Sequence, residues 1–279
     1  MKNYFLILIT VFFIREGMSQ NVSLITYNIR LDVASDGENA WPERKEFLVS
    51  QLQFYNPDIF GIQEGMPHQV NFIKEHLPWY SFIGEGRDGG EKGEYSAIFY
   101  NHKNYKLLKQ GTFWLSTSPN IIGKGWDAAF PRICTYGLFQ NKKEGVNFWV
   151  FNTHLDHLGE VSRVESAKLV LAKIKDLNSE NLAVIFMGDL NAEPTSETIN
   201  ILKSELKDCK EISEIQLIGP EGTFNSFNYN KIPSKRIDYI FVANNKSVKV
   251  KKYGVLNNSN HLKFPSDHFP VFVKLKLKY

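Results

Sequence analysis

Apolar residues along the chain fall into short runs that stop abruptly at polar clusters. Leu24-Ile25-Thr26-Tyr27 stops at Asn28, and Asp58-Ile59-Phe60-Gly61-Ile62 at Gln63-Glu64. Phe148-Trp149-Val150-Phe151 gives way to Asn152-Thr153-His154-Leu155-Asp156, and Ala183-Val184-Ile185-Phe186-Met187 to Gly188-Asp189-Leu190-Asn191. Ser266-Asp267-His268 precedes a last run, Phe269-Pro270-Val271-Phe272-Val273. Such runs, bounded by turn formers, predict strands. They fall at Ser23–Asn28, Asp58–Gln63, Ser96–Tyr100, Phe113–Ser116, Ile133–Gln140, Val146–Thr153, Leu182–Gly188, Arg236–Ala243, Val248–Leu256 and Val271–Leu277. Helical spacing appears over Pro42–Asn56, Pro67–Leu77, Gly159–Asn178 and Thr195–Glu205. The first opens on a proline, suited to the first helical turn. The third sets Val164, Ala167, Leu171 and Ile174 on one face, a stripe read as core. Several strands follow one another without a helix. That order predicts hairpins mixed with helical crossovers, and two large helix-covered sheets rather than one doubly wound parallel sheet.

A chain of 279 residues with no internal repeat or Pro/Ser-rich linker is expected to form one domain, over residues 20–279. Residues 1–19 read as a secretory signal: Lys2 supplies the positive start, and Tyr4–Ile14 is apolar but too short to span a bilayer. Gly17 and Ser19 suit a cleavage site that would leave Gln20 first, and no cysteine follows to carry a lipid. Export to the periplasm or the outside is therefore expected, with no stable membrane insertion. The formal charge of +3 argues against a surface that coats nucleic acid, although a bound cation could neutralise a phosphate locally. Cys134 and Cys209 allow one disulfide or two separate buried thiols. The loops at 84–93 and 116–132 are rich in glycine and polar residues. Trp114, just before the second loop, and Trp126 and Phe130 within it either line a substrate groove or pin the loops down.

Buried strands that finish in Asp, Asn, Glu and His are a costly way to build a core. They make sense if the ends converge on one site that holds a hard cation and moves protons. Glu64 is the best candidate for a direct ligand. Asp189 and Asn191, two apart in an extended segment, can face one ion or phosphate, although an Asx turn explains the pair equally well. His268 is suited to proton transfer if a carboxylate orients it. Asp238, set in an apolar run, needs a partner and can supply that carboxylate. His154 is either a structural histidine or a second catalytic one. No His-Glu-x-x-His or Cys-x-x-Cys pattern points to zinc, no Gly-x-Ser-x-Gly elbow to a serine hydrolase, and no phosphate loop to a nucleotide.

Taken in order, Tyr27-Asn28, Gln63-Glu64, Thr153-His154, Gly188-Asp189-Leu190-Asn191, Ile237-Asp238-Tyr239 and Ser266-Asp267-His268 resemble the motif set of the endonuclease/exonuclease/phosphatase superfamily. The resemblance spans Asn28 to His268 and is more specific for the superfamily than for any substrate. It implies an α/β four-layer sandwich: two mixed, largely antiparallel sheets packed face to face and flanked by helices. It implies a magnesium-dependent phosphoesterase, with Mn2+ or Ca2+ as alternative ions, in which an activated water attacks phosphorus in line. Glu64 would be the principal metal ligand, Asn28 a supporting ligand or phosphate contact, and Asp267 a further metal or structural carboxylate. Asp189 and Asn191 would orient the water and the phosphate. His268, partnered by Asp238, would act as base or stabilise the phosphate, and His154 would contact a phosphate oxygen or assist the leaving group. Glu94 matches the glutamate that pairs with this second histidine in the deoxyribonuclease branch. Trp41-Pro42-Glu43-Arg44-Lys45 and the segment 125–132 look like features of a secreted bacterial subgroup. The substrate would be a phosphorylated small molecule, a lipid headgroup or nucleic acid, and the chain a monomer. The competing class is a binding module on the same scaffold that has lost catalysis. Retention of Glu64, Asp189 and His268 favours the enzyme.

Overall fold

The computed structural model of the protein describes residues 19–215, 218–243 and 247–278. The predicted signal segment thus lies outside the described residues except for Ser19, the first residue of β1 (Ser19–Asn28). The elements that follow are α1 (Trp41–Tyr55), β2 (Ile59–Gln63), α2 (Pro67–His76), β3 (Tyr80–Ile83), β4 (Ile98–Asn101), β5 (Tyr105–Trp114), β6 (Ile133–Asn141) and β7 (Asn147–His154). Then come α3 (Glu160–Leu177), β8 (Ala183–Asp189), α4 (Glu197–Glu205), β9 (Leu206–Asp208), α5 (Cys209–Ile212), β10 (Asp238–Ala243), β11 (Val248–Val255) and β12 (Val271–Lys278). A short 3-10 turn over Ala34–Asn39 precedes α1.

The strands form two six-stranded sheets, ordered β11-β12-β1-β2-β4-β3 and β5-β6-β7-β8-β10-β9. Among the named strands of the described residues, β1–β2 and β7–β8 run parallel and the other pairs antiparallel. Strand alternation divides each run between two cores. Val22 and Leu24 of β1 face Phe148, Val150, Ile185 and Met187 between the sheets. Ile25 and Tyr27 face Leu48, Leu52, Val70 and Ile73 of α1 and α2. On the other side Trp149, Phe151, Val184 and Phe186 pack under Ala167, Val170, Ile199 and Leu202 of α3 and α4. The result is the expected four-layer sandwich. The central strands are apolar on both faces, which is why the sequence shows continuous runs there.

The prediction misses β3, the first part of β5, and β9. These strands lie at or next to a sheet edge, and β5 carries exposed Lys106, Lys109 and Gln110 that blur its alternation. Cys134 and Cys209 are buried free thiols in different cores, so the two-thiol alternative holds. Near one edge a polar tie crosses the sandwich. Asn152 donates from β7 to the carbonyls of Ile62 (2.9 Å) and Ala97 (3.0 Å) and accepts from Gln63 (2.7 Å). Gly61 makes room for it: a Cβ there would lie 2.6 Å from Cγ of Asn152.

Candidate active site

Strand register collects the polar clusters at that same edge. Asn28 pairs with Gln63 at the end of parallel β1–β2, and His154 with Asp189 at the end of parallel β7–β8. Asp238 opens the antiparallel strand β10 directly opposite Asp189. Asp267 and His268 precede β12, whose Val271 pairs with Thr26. The segment around Thr223 joins the two sheets here. Its hydroxyl accepts from the amides of Ile237 and Asp238, and its carbonyl from that of Phe269. Arg30, Glu64 and Asn191 all adopt left-handed backbone (φ 57°, 62° and 46°), an energetically unfavoured choice that clusters at functional sites.

Glu64, Asn28 and Asp189 form the centre. The Asn28 amide donates to Glu64 Oε1 (3.0 Å) and to Asp189 Oδ2 (2.9 Å), while its Oδ1 accepts from the backbone of Arg30 (3.0 Å). That backbone donor fixes which way the amide points. The geometry makes Asn28 a bridge that orients two carboxylates. Glu64 Oε2 accepts from the amide of Leu31 (3.0 Å), and Asp189 Oδ1 from that of Asn191 (2.9 Å). Asp267 sits beside them, with Arg30 Nε 3.9 Å away.

His268 is oriented as the sequence suggests. Its Nδ1 lies 2.9 Å from Asp238 Oδ2, which turns Nε2 toward Asp189 Oδ2 at 3.7 Å. Burial alone would lower this imidazole, but Asp238 and Asp189 outweigh it and hold the pKa well above the usual histidine value. Burial, with the charge of Asp238, pushes the Asp189 carboxyl up to about 7.

His154 Nδ1 faces Arg132 Nη1 at 3.0 Å, whereas Glu94 Oε2 is 4.0 Å away and Glu94 pairs with Arg87 (2.8 Å). Arg132 is thus the nearer partner of the ring, with Glu94 at the outer limit of an ion pair. A guanidinium has no lone pair, so Nδ1 must be the acceptor and a neutral ring carries its proton on Nε2. Burial, reinforced by Arg132, holds the pKa well below the ordinary range, so the ring is neutral at pH 7. Its Nε2 lies 3.5 Å from Asp189 Oδ2 and 3.0 Å from Asn191 Nδ2. That amide nitrogen also donates to the carbonyl of Leu155 (3.0 Å); a half-turn would give up this bond and bring the amide oxygen to the ring proton. A nitrogen of His154 also lies within 4.8 Å of ligand atoms of Glu64 and Asp189, a group among the described residues that could hold a metal ion.

The structure adds residues to those read from the sequence. Arg132 is buried and also donates to Asp156 (3.2 Å) and to His157 Nδ1 (3.1 Å). Buried Arg44 donates to the carbonyls of Arg30 (2.6 Å) and Pro265 (3.1 Å), tying together the loops that carry the carboxylates. Trp114 is buried and pins Arg87 through its indole N–H (2.7 Å), while Phe130 lines the cleft. The cleft, about 590 Å3, is bordered by Arg30, Arg87, Arg132 and Lys235 as well as by the central groups.

The donor set fits a hard divalent cation. Glu64, Asp189 and Asp267 offer carboxylate oxygens to one cleft, burial and the charge of Glu64 push Asp267 up, and buried Asp238 Oδ1 has no partner among the described residues. No helix among the described residues is long and apolar enough to cross a membrane.

A family model described as the Endonuclease/Exonuclease/phosphatase family matches residues 25–268. An endonuclease/exonuclease/phosphatase family protein of Bacteroides thetaiotaomicron has a solved structure 40% identical to this chain, with a TM-score of 0.90 over 94% of this chain and 97% of its own. The mannosyl-6-phosphatase of the same organism is 41% identical, with a TM-score of 0.87 over 91% of this chain and 99% of its own. A probable RNA exonuclease of Saccharomyces cerevisiae is 28% identical over 63% of this chain and 38% of its own length. The curated relatives it matches first are thus covered over less than two thirds of their length.

Proposed function

The chain belongs to the endonuclease/exonuclease/phosphatase family, and from that premise we propose that it is an exported, divalent-metal-dependent phosphomonoesterase that releases phosphate from a sugar phosphate. The observation that carries the hydrolytic reading is the convergence of Glu64, Asp189, His154 and His268 on one cleft lined by both carboxylates and arginines. The monoester reading rests on two supports. A terminal phosphate carries close to two negative charges, and the cleft sets three arginines and a lysine beside the carboxylates that would hold the cation. The mannosyl-6-phosphatase is similar over nearly the whole of both chains. Export rests on the apolar stretch behind Lys2; cleavage after Ser19 would leave Gln20 opposite Leu277 at the start of β1.

The cation would be held by Glu64 with Asp267 and Asp189 beside it, and Mg2+ is the expected ion. When bound it would neutralise phosphate charge and polarise the P–O bonds. The protein's own groups do the rest. Asp189, central and with a raised pKa, accepts a proton from the attacking water. Asn28 and the Asn191 amide hold its two oxygens in place. His268, held charged by Asp238, stabilises negative charge on the phosphate from one side, and His154 donates through Nε2 from the other. A neutral His154 locked by Arg132 is a hydrogen-bond donor and does not deliver a proton to the leaving oxygen, which leaves as alcohol after protonation by solvent.

The test is hydrolysis by the chain beginning at Gln20, with Mg2+ and after chelation. The panel holds hexose 6-phosphates, phenyl phosphate, bis(p-nitrophenyl) phosphate, DNA, RNA and sphingomyelin, with His268→Ala as control. Metal-dependent release of inorganic phosphate from the monoesters, lost in His268→Ala, is expected. Turnover of the diesters or nucleic acids alone refutes the monoester reading, and no turnover on any member favours the binding module.

A further inference from the structure

Outside the groups assigned to the phosphate, one imidazole in the cleft has an N–H without a partner among the described residues. His157 lines the cleft and is exposed. Its Nδ1 accepts from Arg132 Nη2 (3.1 Å), so the same argument as for His154 puts the proton of a neutral ring on Nε2. The ring lies nearly parallel to Phe130, at 16° with centroids 6.0 Å apart. Arg87 covers Phe130 in turn, 4.7 Å from its ring centre. One guanidinium therefore holds two imidazoles. The inner one, His154, reaches Asp189 and Asn191. The outer one sits beside Phe130, which is 45% exposed at the rim. Among the described residues nothing is hydrogen-bonded to His157 Nε2. The cleft also exposes Glu193 and Lys235, whose side chains make no hydrogen bond or ion pair among the described residues.

We propose that His157, set by Arg132 and Phe130, is a specificity-determining contact to the leaving group: its Nε2–H donates to a hydroxyl or ring oxygen of the sugar outside the phosphate. An oxygen that reaches it lies one guanidinium further out than the phosphate contacts of His154. Glu193 and Lys235 supply an acceptor and a donor in the same cleft, a mixture that suits a polyol and gives an apolar alcohol nothing to bond. This inference rests on the phosphomonoesterase reading and deepens it.

The experiment compares kcat/KM for a hexose 6-phosphate with that for phenyl phosphate, which has no oxygen beyond its phosphate. Wild type, His157→Ala, His157→Phe and His157→Gln are measured with saturating Mg2+. The ratio of hexose phosphate to phenyl phosphate is expected to fall about tenfold in His157→Ala, the scale of one lost hydrogen bond. His157→Phe keeps the stack on Phe130 but lacks the donor, and should fall as far. His157→Gln keeps an N–H and should recover part of the ratio. An unchanged ratio in His157→Ala, whether both rates stay or fall together, overturns the inference, as does a wild-type ratio in His157→Phe. A wild type that hydrolyses neither monoester refutes the phosphomonoesterase reading itself, and the inference falls with it.

Discussion

Replacing Asp156 should unlock the arginine that sets both His154 and His157, and its cost can be worked from the contacts. The carboxylate is buried at the turn between β7 and α3. One oxygen accepts from the amides of Leu158 (3.0 Å) and Gly159 (2.8 Å), the other from Arg132 Nε (3.2 Å) and the amide of Phe130 (3.4 Å). Asp156→Ala leaves the Arg132 guanidinium buried without its counter-charge, a loss of about 3–5 kcal/mol. For a domain of this size that lowers Tm by roughly 10 °C. The pH dependence supplies a second check. Burial alone would raise this carboxyl, but the amides of Gly159, Ala129 and Leu158 together with Arg132 hold it well below the usual carboxylate range. A depressed folded pKa means that the ionised group's stabilisation is fully present above the unfolded value, about 3.9. It fades as pH falls toward the folded value. In thermal or urea unfolding, the gap between wild type and Asp156→Asn should therefore be constant above about pH 5 and narrow below about pH 4. A gap that is the same at pH 7 and pH 3.5, or an Asp156→Ala variant as stable as wild type, refutes the argument.

Three further outcomes follow from the site and the cores. Glu64→Gln removes the principal carboxylate from the cation site, so calorimetric Mg2+ binding should be lost while the unfolding transition in chelator stays near that of wild type. Asp238→Asn should lower kcat by about 10²–10⁴ with the fold intact, because an amide can turn its N–H toward His268 Nδ1 and force the other tautomer; activity within twofold of wild type would dismiss the pairing. Cys134 and Cys209 are buried apart, so a thiol reagent should find no reactive cysteine in the native protein and two after unfolding; a mixed disulfide or an early-reacting thiol would contradict the packing.

How much of this was legible in the sequence depends on where each group obtains its partners. The central strands could be read because both faces are buried, so apolar runs are long and their polar ends abrupt. The carboxylates and His268 stood at those ends, and Asp238 in an apolar strand demanded a partner, which the structure supplies. Edge strands such as Tyr80–Ile83 and the Lys-bearing half of Tyr105–Trp114 lose that contrast to solvent. The bridging of Glu64 and Asp189 by Asn28 is not legible in the sequence, because a side-chain amide has two ends, and only the backbone donor of Arg30 decides which end faces the carboxylates.

Arg132 is the instructive omission. It ends a loop read only for its aromatics, and its role is defined by three acceptors on another strand end. Yet a signal existed. Asp156 follows an apolar run closely, and a carboxylate buried there demands a cation just as Asp238 demands a partner. The adjacent predicted strands 133–140 and 146–153 read as a hairpin. In the register observed, Cys134 pairs with Thr153, so the chain just before β6 runs beside the residues just after β7. The residue one step before β6 is Arg132, and the residues just beyond Thr153 are His154, Leu155 and Asp156. A hairpin register, extended two residues past its strands, puts the guanidinium among His154, Asp156 and His157 from the sequence alone. It also gives Glu94 a competitor for the histidine it is expected to hold.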